Sequence, residues 1–331
     1  MKLLNASEIR ALIGAREAIE VMRQAYAGYD AATLNCPPRT IISTAAPEGY
    51  FGVMPVLTGA DQQFVVKIAG LVVADQGCQM EAVVAVMDAN TAQLQALLDG
   101  ESLTTLRTSA TAALVSDLLA NRQATSLALI GTGRQAAALL LAHCQVRPIS
   151  SVKVYARNPA KLQAFVAAHR QLLGPEIEIC AVDSVSQAVL GAQIICTATS
   201  ADGPLIQLKD VTAGCHIVAI GNHAPDFCEL DECLLNRAVL VSDDRVAASK
   251  EAPAIFAQAI EIQTLLQNAA LLQETQETQE TQELRQRSNG SQPAVTAYLS
   301  VGSAFQDAAM ATAVLRAARQ QAVGTEWLAS N

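Results

Sequence analysis

The residues best suited to chemistry form a glycine-rich turn between an apolar run and an apolar helical segment. They are Gly131, Thr132, Gly133, Arg134, Gln135 and Ala136. Glycines at such a turn let backbone N–H groups and the positive end of a helix approach a pyrophosphate, which larger side chains would block. The turn therefore predicts a dinucleotide site on these six residues. The alternative is an ordinary strand-to-helix connection, because Gly-x-Gly turns also occur there.

The segment after this helix indicates which dinucleotide binds. Residues 151–156 form a second predicted strand, which completes a βαβ unit, and Arg157 and Asn158 follow it directly. An acidic residue at this point binds the ribose hydroxyls of NAD, whereas a basic one accepts the 2′-phosphate of NADP. We therefore expect Arg157 and Asn158 to contact NADPH, with NADH still accepted. The alternative is that Arg157 is only a solvated charge beside the helix.

A regular alternation of strands and helices must position these residues. After the βαβ unit, apolar runs rich in β-branched residues occur at 176–181, 194–198, 215–221 and 238–243, with helical segments between them. This alternation predicts an α/β fold with a Rossmann-type, doubly wound parallel sheet that is buried on both faces. We place this dinucleotide-binding domain at residues 118–295.

The flanking residues have a different pattern. Helices are predicted at residues 12–29 and 103–120, and an apolar helical segment at residues 298–318. The predicted strands between the first two helices cover residues 39–43, 50–54, 64–69 and 82–87. We expect residues 1–117 and 296–331 to form one α+β domain into which the dinucleotide-binding domain is inserted.

The composition excludes several function classes. The 331 residues are 51% hydrophobic, which is enough for a large core, and the formal net charge of −9 argues against a nucleic-acid partner. Apolar runs are shorter than a membrane span and no signal-peptide pattern opens the chain, so we expect a cytoplasmic protein with no membrane partner.

Two further features are assigned no chemistry. The eight cysteines show no Cys-x-x-Cys spacing, and His223, Cys228 and Cys233 lack the spacing of a metal site, so we predict no metal. The Gln-Glu-Thr repeat at residues 273–283 is polar and acidic, which is typical of a solvated segment.

Five strings of residues, in this order and over nearly the whole chain, carry a family resemblance. They are Leu97-Leu98-Asp99-Gly100, Leu103-Thr104-Thr105-Leu106-Arg107-Thr108-Ser109-Ala110, the glycine turn, Cys196-Thr197-Ala198-Thr199 and Ser300-Val301-Gly302-Ser303-Ala304-Phe305-Gln306-Asp307. Together they resemble the ornithine cyclodeaminase/mu-crystallin family. The resemblance implies a homodimer built by the first domain and the C-terminal helix, with the substrate held between the domains. It also implies cofactor contacts from Thr108, Thr197, Ala198, Thr199 and Val301.

The same resemblance implies that Arg39, Lys67 and Arg107 bind the carboxylate of the substrate. The chemistry of these side chains agrees with that role. Arginine forks match a carboxylate bidentately, and a partly desolvated lysine adds a point charge or a proton. Taken one at a time, each cation also fits a surface ion pair.

One loop departs from the pattern of the cyclodeaminases. They carry an aspartate where this chain has His223, in Gly221-Asn222-His223-Ala224-Pro225. This variant resembles the members of the family that reduce the cyclic ketimine Δ1-pyrroline-2-carboxylate, so we expect an NAD(P)H-dependent oxidoreductase acting on a small cyclic imino acid. A six-membered ketimine is a possible second substrate. The catalytic residues would be Lys67 and His223, either of which could protonate the imine; alternatively, His223 only caps its loop.

Three other functions stay open at this point. The first is ornithine cyclisation by a lyase, which the missing aspartate disfavours. The second is amino-acid dehydrogenation, since an open-chain imine also fits three cations. The third is a non-catalytic, NADPH-dependent binding protein, because the family includes a crystallin.

Overall fold

The computed structural model describes residues 1–45, 48–74, 77–274 and 294–327. The chain forms two compact units. The first comprises Met1–Ala110 and Gly302–Asn331, and the second comprises Thr111–Val301.

The first unit contains a mixed sheet. Its strands are β1 (Lys2–Leu4), β2 (Leu34–Asn35), β3 (Thr40–Ala45), β4 (Glu48–Thr58), β5 (Gln63–Ala74), β6 (Gly77–Asp88), β7 (Leu94–Asp99) and β16 (Thr325–Glu326). Within the described residues they lie in the order β16-β1-β7-β6-β5-β4-β2, with β3 also paired to β4. Strands β1 and β7 are parallel, and the other pairs are antiparallel.

Helices cover one face of this sheet. They are α1 (Ala6–Leu12), α2 (Ala15–Ala27) and α10 (Ala304–Gln320), while α3 (Gly100–Leu119) begins in this unit and leads into the second. Helix α10 packs across β4, β5 and β6. Because successive side chains of a strand point to opposite faces, Lys67 of β5 lies on the covered face and its neighbour Ile68 on the other.

The second unit contains a parallel sheet. Its strands are β8 (Ser126–Ile130), β9 (Ser151–Tyr155), β10 (Glu178–Ala181), β11 (Ile194–Thr197), β12 (His216–Ala219), β13 (Val239–Ser242), β14 (Ile260–Glu261) and β15 (Thr296–Leu299). In the described part of the chain their order is β10-β9-β8-β11-β12-β15-β13-β14, and every recorded pair is parallel.

The helices of this unit connect the parallel strands. They are α4 (Arg134–Val146), α5 (Pro159–Leu173), α6 (Val185–Val189), α7 (Glu232–Arg237), α8 (Arg245–Glu251) and α9 (Ile262–Glu274), with 3-10 turns at Leu208–Asp210 and Ala254–Gln258. The chain moves outward from β8 to β10 and then returns to place β11 on the other side of β8. This arrangement confirms the predicted doubly wound α/β fold, and ligands of such sheets bind outside the carboxyl ends of the strands at the switch point.

Two predicted helices are wrong in part. The apolar segment predicted as a helix at residues 298–318 begins as strand β15, and the helix starts only at Ala304. A short strand buried on both faces is a continuous apolar run, which periodicity alone does not distinguish from a helix. The helix predicted at residues 12–29 starts only at Ala15, where Gly14 is the N-cap, and a separate helix precedes it. The repeat predicted to be a solvated segment lies outside the described residues from position 275 onward.

Candidate active site

The glycine turn connects β8 to α4 at the switch point of the parallel sheet. Gly131 has φ +119°, and a Cβ at this position would lie 2.5 Å from the carbonyl oxygen of Ala198. Its N–H donates to the carbonyl of Tyr155 at 2.9 Å, and the N–H of Ala198 donates to the carbonyl of Ile130, also at 2.9 Å. Gly131 is therefore required by both its backbone conformation and the close approach of the loop after β11.

Gly133 has a different environment. It is the N-cap of α4 with φ −83°, and a Cβ there would meet nothing within 4 Å. Among the residues that the structure describes, no side chain caps this helix. An uncapped helix N-terminus beside open space fits a pyrophosphate, which would accept the backbone N–H groups and interact with the helix dipole. Thr132 and Gln135 are half-buried around this space, Arg134 is exposed and Ala136 is buried.

Arg157 and Asn158 follow the carboxyl end of β9, and both are exposed. The side-chain oxygen of Asn158 accepts a hydrogen bond from the N–H of Lys161 at 3.0 Å and so caps α5. This contact gives Asn158 a structural role whether or not it also meets a cofactor. Arg157 precedes the cap, where a guanidinium could reach a phosphate in solvent.

A buried carboxylate that sequence reasoning missed connects two of the predicted site loops. Glu229 is 1% exposed, and each of its oxygens accepts two hydrogen bonds. Oε1 accepts from the N–H of Thr199 at 3.0 Å and its hydroxyl at 2.7 Å. Oε2 accepts from the hydroxyl of Thr197 at 2.6 Å and the N–H of Gly221 at 3.0 Å. Burial raises the pKa of Glu229, and these hydrogen bonds oppose that shift. An acidic residue between Cys228 and Leu230, both buried, was the available sequence signal.

His223 lies in the loop that follows β12 and is half-buried. Its Nδ1 is 3.0 Å from the carbonyl oxygen of Gly221. Since a carbonyl only accepts, Nδ1 carries a proton in this arrangement. Nε2 is then the ring nitrogen that stays available to a ligand, and the contact with Gly221 orients the ring.

Asp243 holds Ser300 and the backbone of Val301 in place through hydrogen bonds. Its carboxylate is 5% exposed and accepts hydrogen bonds from the hydroxyl of Ser300 at 2.7 Å and the N–H of Val301 at 3.1 Å. Sequence reasoning assigned Val301 to the cofactor but did not identify the carboxylate that fixes its backbone.

The first unit brings together Arg39, Lys67 and Arg107. Arg39 donates to the carbonyl of Gly302, and a Cβ on Gly302 would lie 2.7 Å from the guanidinium of Arg107. Lys67 and Arg107 meet at Asp307, with Nζ of Lys67 2.7 Å from Oδ2 and Nε of Arg107 3.1 Å from Oδ1. Gly302 and the first turns of α10 therefore organise all three cations.

Gln306 holds the side chain of Arg107 in place and links it to helix α2. Gln306 accepts a hydrogen bond from Arg107 at 2.9 Å and donates to the hydroxyl of Tyr26, also at 2.9 Å. Thr108 follows Arg107 on α3 and is 7% exposed. Sequence reasoning quoted Gln306 and Asp307 within a motif but gave neither a role.

Electrostatics set the protonation of Lys67 and Asp307. Burial, together with the like charges of Arg107 and Arg39, lowers the pKa of Lys67 to about 8, while Asp307 opposes this shift. Burial alone would raise the pKa of Asp307, but the charges of Lys67 and Arg107 outweigh it and hold that pKa below its usual value. Asp307 is thus ionised near neutral pH, and Lys67 can lose its proton at an accessible pH.

Neither a metal-binding cluster nor a membrane-spanning helix is found in the part of the chain that the structure describes. No three His, Cys, Asp or Glu side chains there are grouped so that they could hold a metal ion. No helix there combines the length and apolarity that crossing a membrane requires.

The doubly wound sheet, the glycine turn and the uncapped α4 define a Rossmann-type dinucleotide-binding protein, and the cations of the first unit are suited to an acidic ligand. The chain belongs to the ornithine cyclodeaminase/mu-crystallin family, whose model matches residues 1–322. This match confirms the family predicted from the five strings of residues.

Several proteins of known activity are similar to this chain. The chain is 34% identical to the Δ1-pyrroline-2-carboxylate reductase of Colwellia psychrerythraea over 220 residues, which are 66% of this chain and 68% of that protein. It is 28% identical to the ketimine reductase mu-crystallin of Mus musculus over 278 residues, or 82% of this chain and 81% of that protein. Among solved structures it resembles the Δ1-pyrroline-2-carboxylate reductase of Thermococcus litoralis in complex with NADH and L-proline. The TM-score is 0.84 and the identity 27%, covering 99% of this chain and 100% of the other.

Proposed function

We propose that this protein is an NAD(P)H-dependent oxidoreductase that reduces Δ1-pyrroline-2-carboxylate to L-proline. The observation that carries the proposal is the cluster of Arg39, Lys67 and Arg107 in a chain that matches, along its length, a reductase solved with NADH and L-proline. The reaction adds a hydride to the imine carbon and a proton to the imine nitrogen, and oxidises the reduced cofactor.

The cations of the first unit bind and orient the substrate in this proposal. The guanidinium groups of Arg39 and Arg107 present planar donors that match a carboxylate, and contacts with Gly302 and Asp307 limit their rotation. Fixing the carboxylate next to the imine carbon orients the face of the ring that is reduced. Such positioning supplies a large part of the rate enhancement of a bimolecular step.

A proton donor must act at the imine nitrogen, because a protonated imine accepts hydride far more readily. Lys67 has a pKa of about 8, so a substantial fraction carries a transferable proton near neutral pH. His223 is the competing donor through Nε2, since its Nδ1 donates to Gly221. We favour Lys67, because it lies in the same cluster as the arginines that bind the neighbouring carboxylate.

The second unit would hold the dinucleotide. Gly131, Gly133 and the N-terminus of α4 fit the pyrophosphate, and the loops that carry Thr197–Thr199 and Val301 are fixed by buried carboxylates. When bound, the reduced nicotinamide supplies the hydride. Further contacts to the dinucleotide would come from Thr108, Thr132, Arg134, Gln135, Ala136 and Asn158.

We also propose that NADPH is the preferred cofactor, with NADH accepted. The exposed guanidinium of Arg157 at the end of β9 supports this preference. Replacing Arg157 by alanine should raise the KM for NADPH about 10-fold or more, as expected for loss of a charge-assisted hydrogen bond, and leave the KM for NADH unchanged. Lys153→Ala removes a cation from within β9, where Nζ donates to the carbonyl of Leu190, and is the matched control. An equal effect on both cofactors would contradict the preference.

The reaction itself is tested by following reduced-cofactor absorbance with purified protein, NADPH or NADH, and Δ1-pyrroline-2-carboxylate. We expect consumption of the cofactor and formation of L-proline in equal amounts. Substituting Δ1-piperideine-2-carboxylate measures the ring-size preference. No oxidation of either cofactor would refute the proposal, and release of ammonia from ornithine without added reductant would replace it with cyclodeamination.

We propose further that the protein is a homodimer that forms through the uncovered face of the first sheet. Ile42 pairs with Phe51, and Val53 pairs with Ile68, which in turn pairs with Val83. Between 36% and 63% of each of these apolar side chains is exposed. A contiguous apolar face of this kind is typical of an interface. We accordingly propose that residues 1–117 and 296–331 bind substrate and dimerise, and that residues 118–295 bind the dinucleotide.

Light scattering on a sizing column tests the dimer. Ile68→Lys should yield a monomer, because it places a charge in the middle of the apolar face. Leu172→Lys, which changes an exposed leucine of the second unit, should leave the mass unchanged. A dimeric I68K protein, or a monomeric wild type, would contradict this interface. A cytoplasmic location is also proposed, and the scattered spacing of the eight cysteines, which is typical of small buried residues in a reducing compartment, supports it.

A further inference from the structure

Glu229 has no role as a proton or hydride donor in the proposed reaction, but it bonds two loops of the proposed site. It lies between the end of β11 with its following loop, which carry Thr197 and Thr199, and the loop after β12, which carries Gly221 and His223. The first loop is a proposed cofactor contact, and the second carries a proposed proton donor. One buried carboxylate therefore touches the backbone of two loops that must both be placed correctly for hydride and proton to reach the same imine.

We propose that Glu229 is a positioning residue that fixes the cofactor loop and the histidine loop relative to each other. This inference rests on the proposed function, because it assumes that both loops serve one reaction. Glu229 contacts neither substrate nor cofactor in this proposal. It acts through Thr199 on one side and through Gly221 on the other.

The contacts continue from Glu229 to the glycine turn and to the imidazole. A Cβ on Gly131 would meet the carbonyl of Ala198, the residue before Thr199, at 2.5 Å. A Cβ on Gly221 would lie 2.4 Å from the carboxyl carbon of Glu229. The carbonyl of Gly221 then accepts from Nδ1 of His223. A displaced Glu229 would thus shift the dinucleotide turn on one side and the imidazole on the other.

A carboxylate is the side chain that these donors require. Each oxygen of Glu229 faces one backbone N–H, from Thr199 at Oε1 and from Gly221 at Oε2. A backbone N–H cannot reverse its direction, unlike the threonine hydroxyls. A glutamine would place its NH2 group against one of the two N–H groups in either orientation. One loop would lose its hydrogen bond and face a donor instead.

The experiment compares Glu229→Gln with Glu232→Gln, which makes the same charge change three residues along at an exposed site. Both full-length proteins are assayed at a temperature at which circular dichroism shows them folded. NADPH affinity is measured without imine by the fluorescence of the reduced nicotinamide. Steady-state kinetics with Δ1-pyrroline-2-carboxylate then separate kcat from the KM of the imine.

We expect E229Q to lower kcat about 10- to 100-fold and to raise the Kd of NADPH several-fold. The KM of the imine should change little, because its carboxylate is bound by the first unit. E232Q should match the wild type in all three quantities. A purely structural role for Glu229 would lower the melting temperature without this split between kcat and KM.

Several outcomes would overturn the inference. They are an E229Q protein with wild-type kcat and NADPH affinity, or an E232Q protein with the same losses as E229Q. If E229Q does not fold, Thr199→Val is the second variant. It removes the hydroxyl that donates to Oε1 of Glu229 and accepts from the N–H of Ala201, and it should lower kcat about 2- to 10-fold. Unchanged kinetics of T199V would then overturn the inference. If the wild type oxidises no cofactor with the imine, the proposed reaction fails, while NADPH affinity still decides whether Glu229 positions the cofactor loop.

Discussion

Replacing Asp307 by asparagine tests whether Lys67 supplies the proton. The carboxylate is 1% exposed and lies 2.7 Å from Nζ of Lys67, whose pKa burial has already lowered to about 8. Arg107 and Arg39 lower that pKa, whereas Asp307 raises it. Removing the charge of Asp307 therefore lowers the pKa of Lys67 again. An opposite charge at close range is worth about 1 to 3 pKa units, so the new pKa lies at roughly 5 to 7.

The change in rate follows from the fraction of Lys67 that stays protonated. At pH 8 about half of Lys67 is protonated in the wild type, but about a tenth or less is in D307N. Activity at pH 8 should therefore fall at least about 5-fold, and the loss should shrink as the pH is lowered. The pKa of Lys67 must fall and not rise in D307N, because Asp307 is the group that favours the protonated lysine.

The assay is kcat for imine reduction, measured by cofactor oxidation across the neutral and alkaline range. The alkaline limb of the D307N profile should lie at lower pH than that of the wild type. Asp61→Asn is the matched control, because Asp61 is an exposed aspartate of the same unit, and its profile should not move. Loss of one partner of a buried ion pair costs about 3 to 5 kcal/mol, so folding is verified by circular dichroism.

A folded D307N enzyme whose alkaline limb stays at the wild-type pH, or moves upward, would refute Lys67 as the donor. His223 would then be the remaining candidate. Replacing His223 by glutamine separates the two hypotheses, because it should abolish imine reduction only if the imidazole provides the proton.

Three further predictions concern the glycine turn, the arginine cluster and acid stability. Gly131→Ala should lower the melting temperature and weaken NADPH binding, because the backbone there has positive φ and the new Cβ would meet Ala198. Gly133→Ala should leave the melting temperature unchanged and weaken NADPH binding about 10-fold or more. Unchanged NADPH affinity in G133A would place the pyrophosphate elsewhere. Arg107→Lys should raise the KM of the imine about 10-fold or more through loss of the planar fork, and an unchanged KM would argue against carboxylate binding there. Burial lowers the pKa of His143 from 6.5 to about 4, so between these pH values the unfolded chain binds more protons than the folded one. The free energy of unfolding should therefore fall by about 3 kcal/mol as the pH drops from 6.5 to 4. Urea titrations of the wild type and His143→Gln measure this fall, and an equal acid dependence in both proteins would contradict the prediction.

The sequence predicted most of the fold because the local signals agreed with the tertiary structure. In the second unit, apolar runs of strand length alternate with helical periodicity, and the observed strands β9 to β13 lie within the predicted segments. The errors occurred where local signals are ambiguous. Strand β15 is buried on both faces, so residues 296–299 carry no alternation that would separate them from the helix that follows.

The sequence by itself determined the family, the doubly wound sheet and the residue types for binding a dinucleotide and a carboxylate. These features depend on short segments, such as the glycine turn, whose chemistry is local. The tertiary structure alone decided which side chains meet and in what charge state. Asp307 joins Lys67 to Arg107 across 240 and 200 positions of the chain, and Glu229 reaches back 30 positions to Thr199. Hydrogen bonds and pKa values depend on distance and burial in space, which sequence separation does not encode.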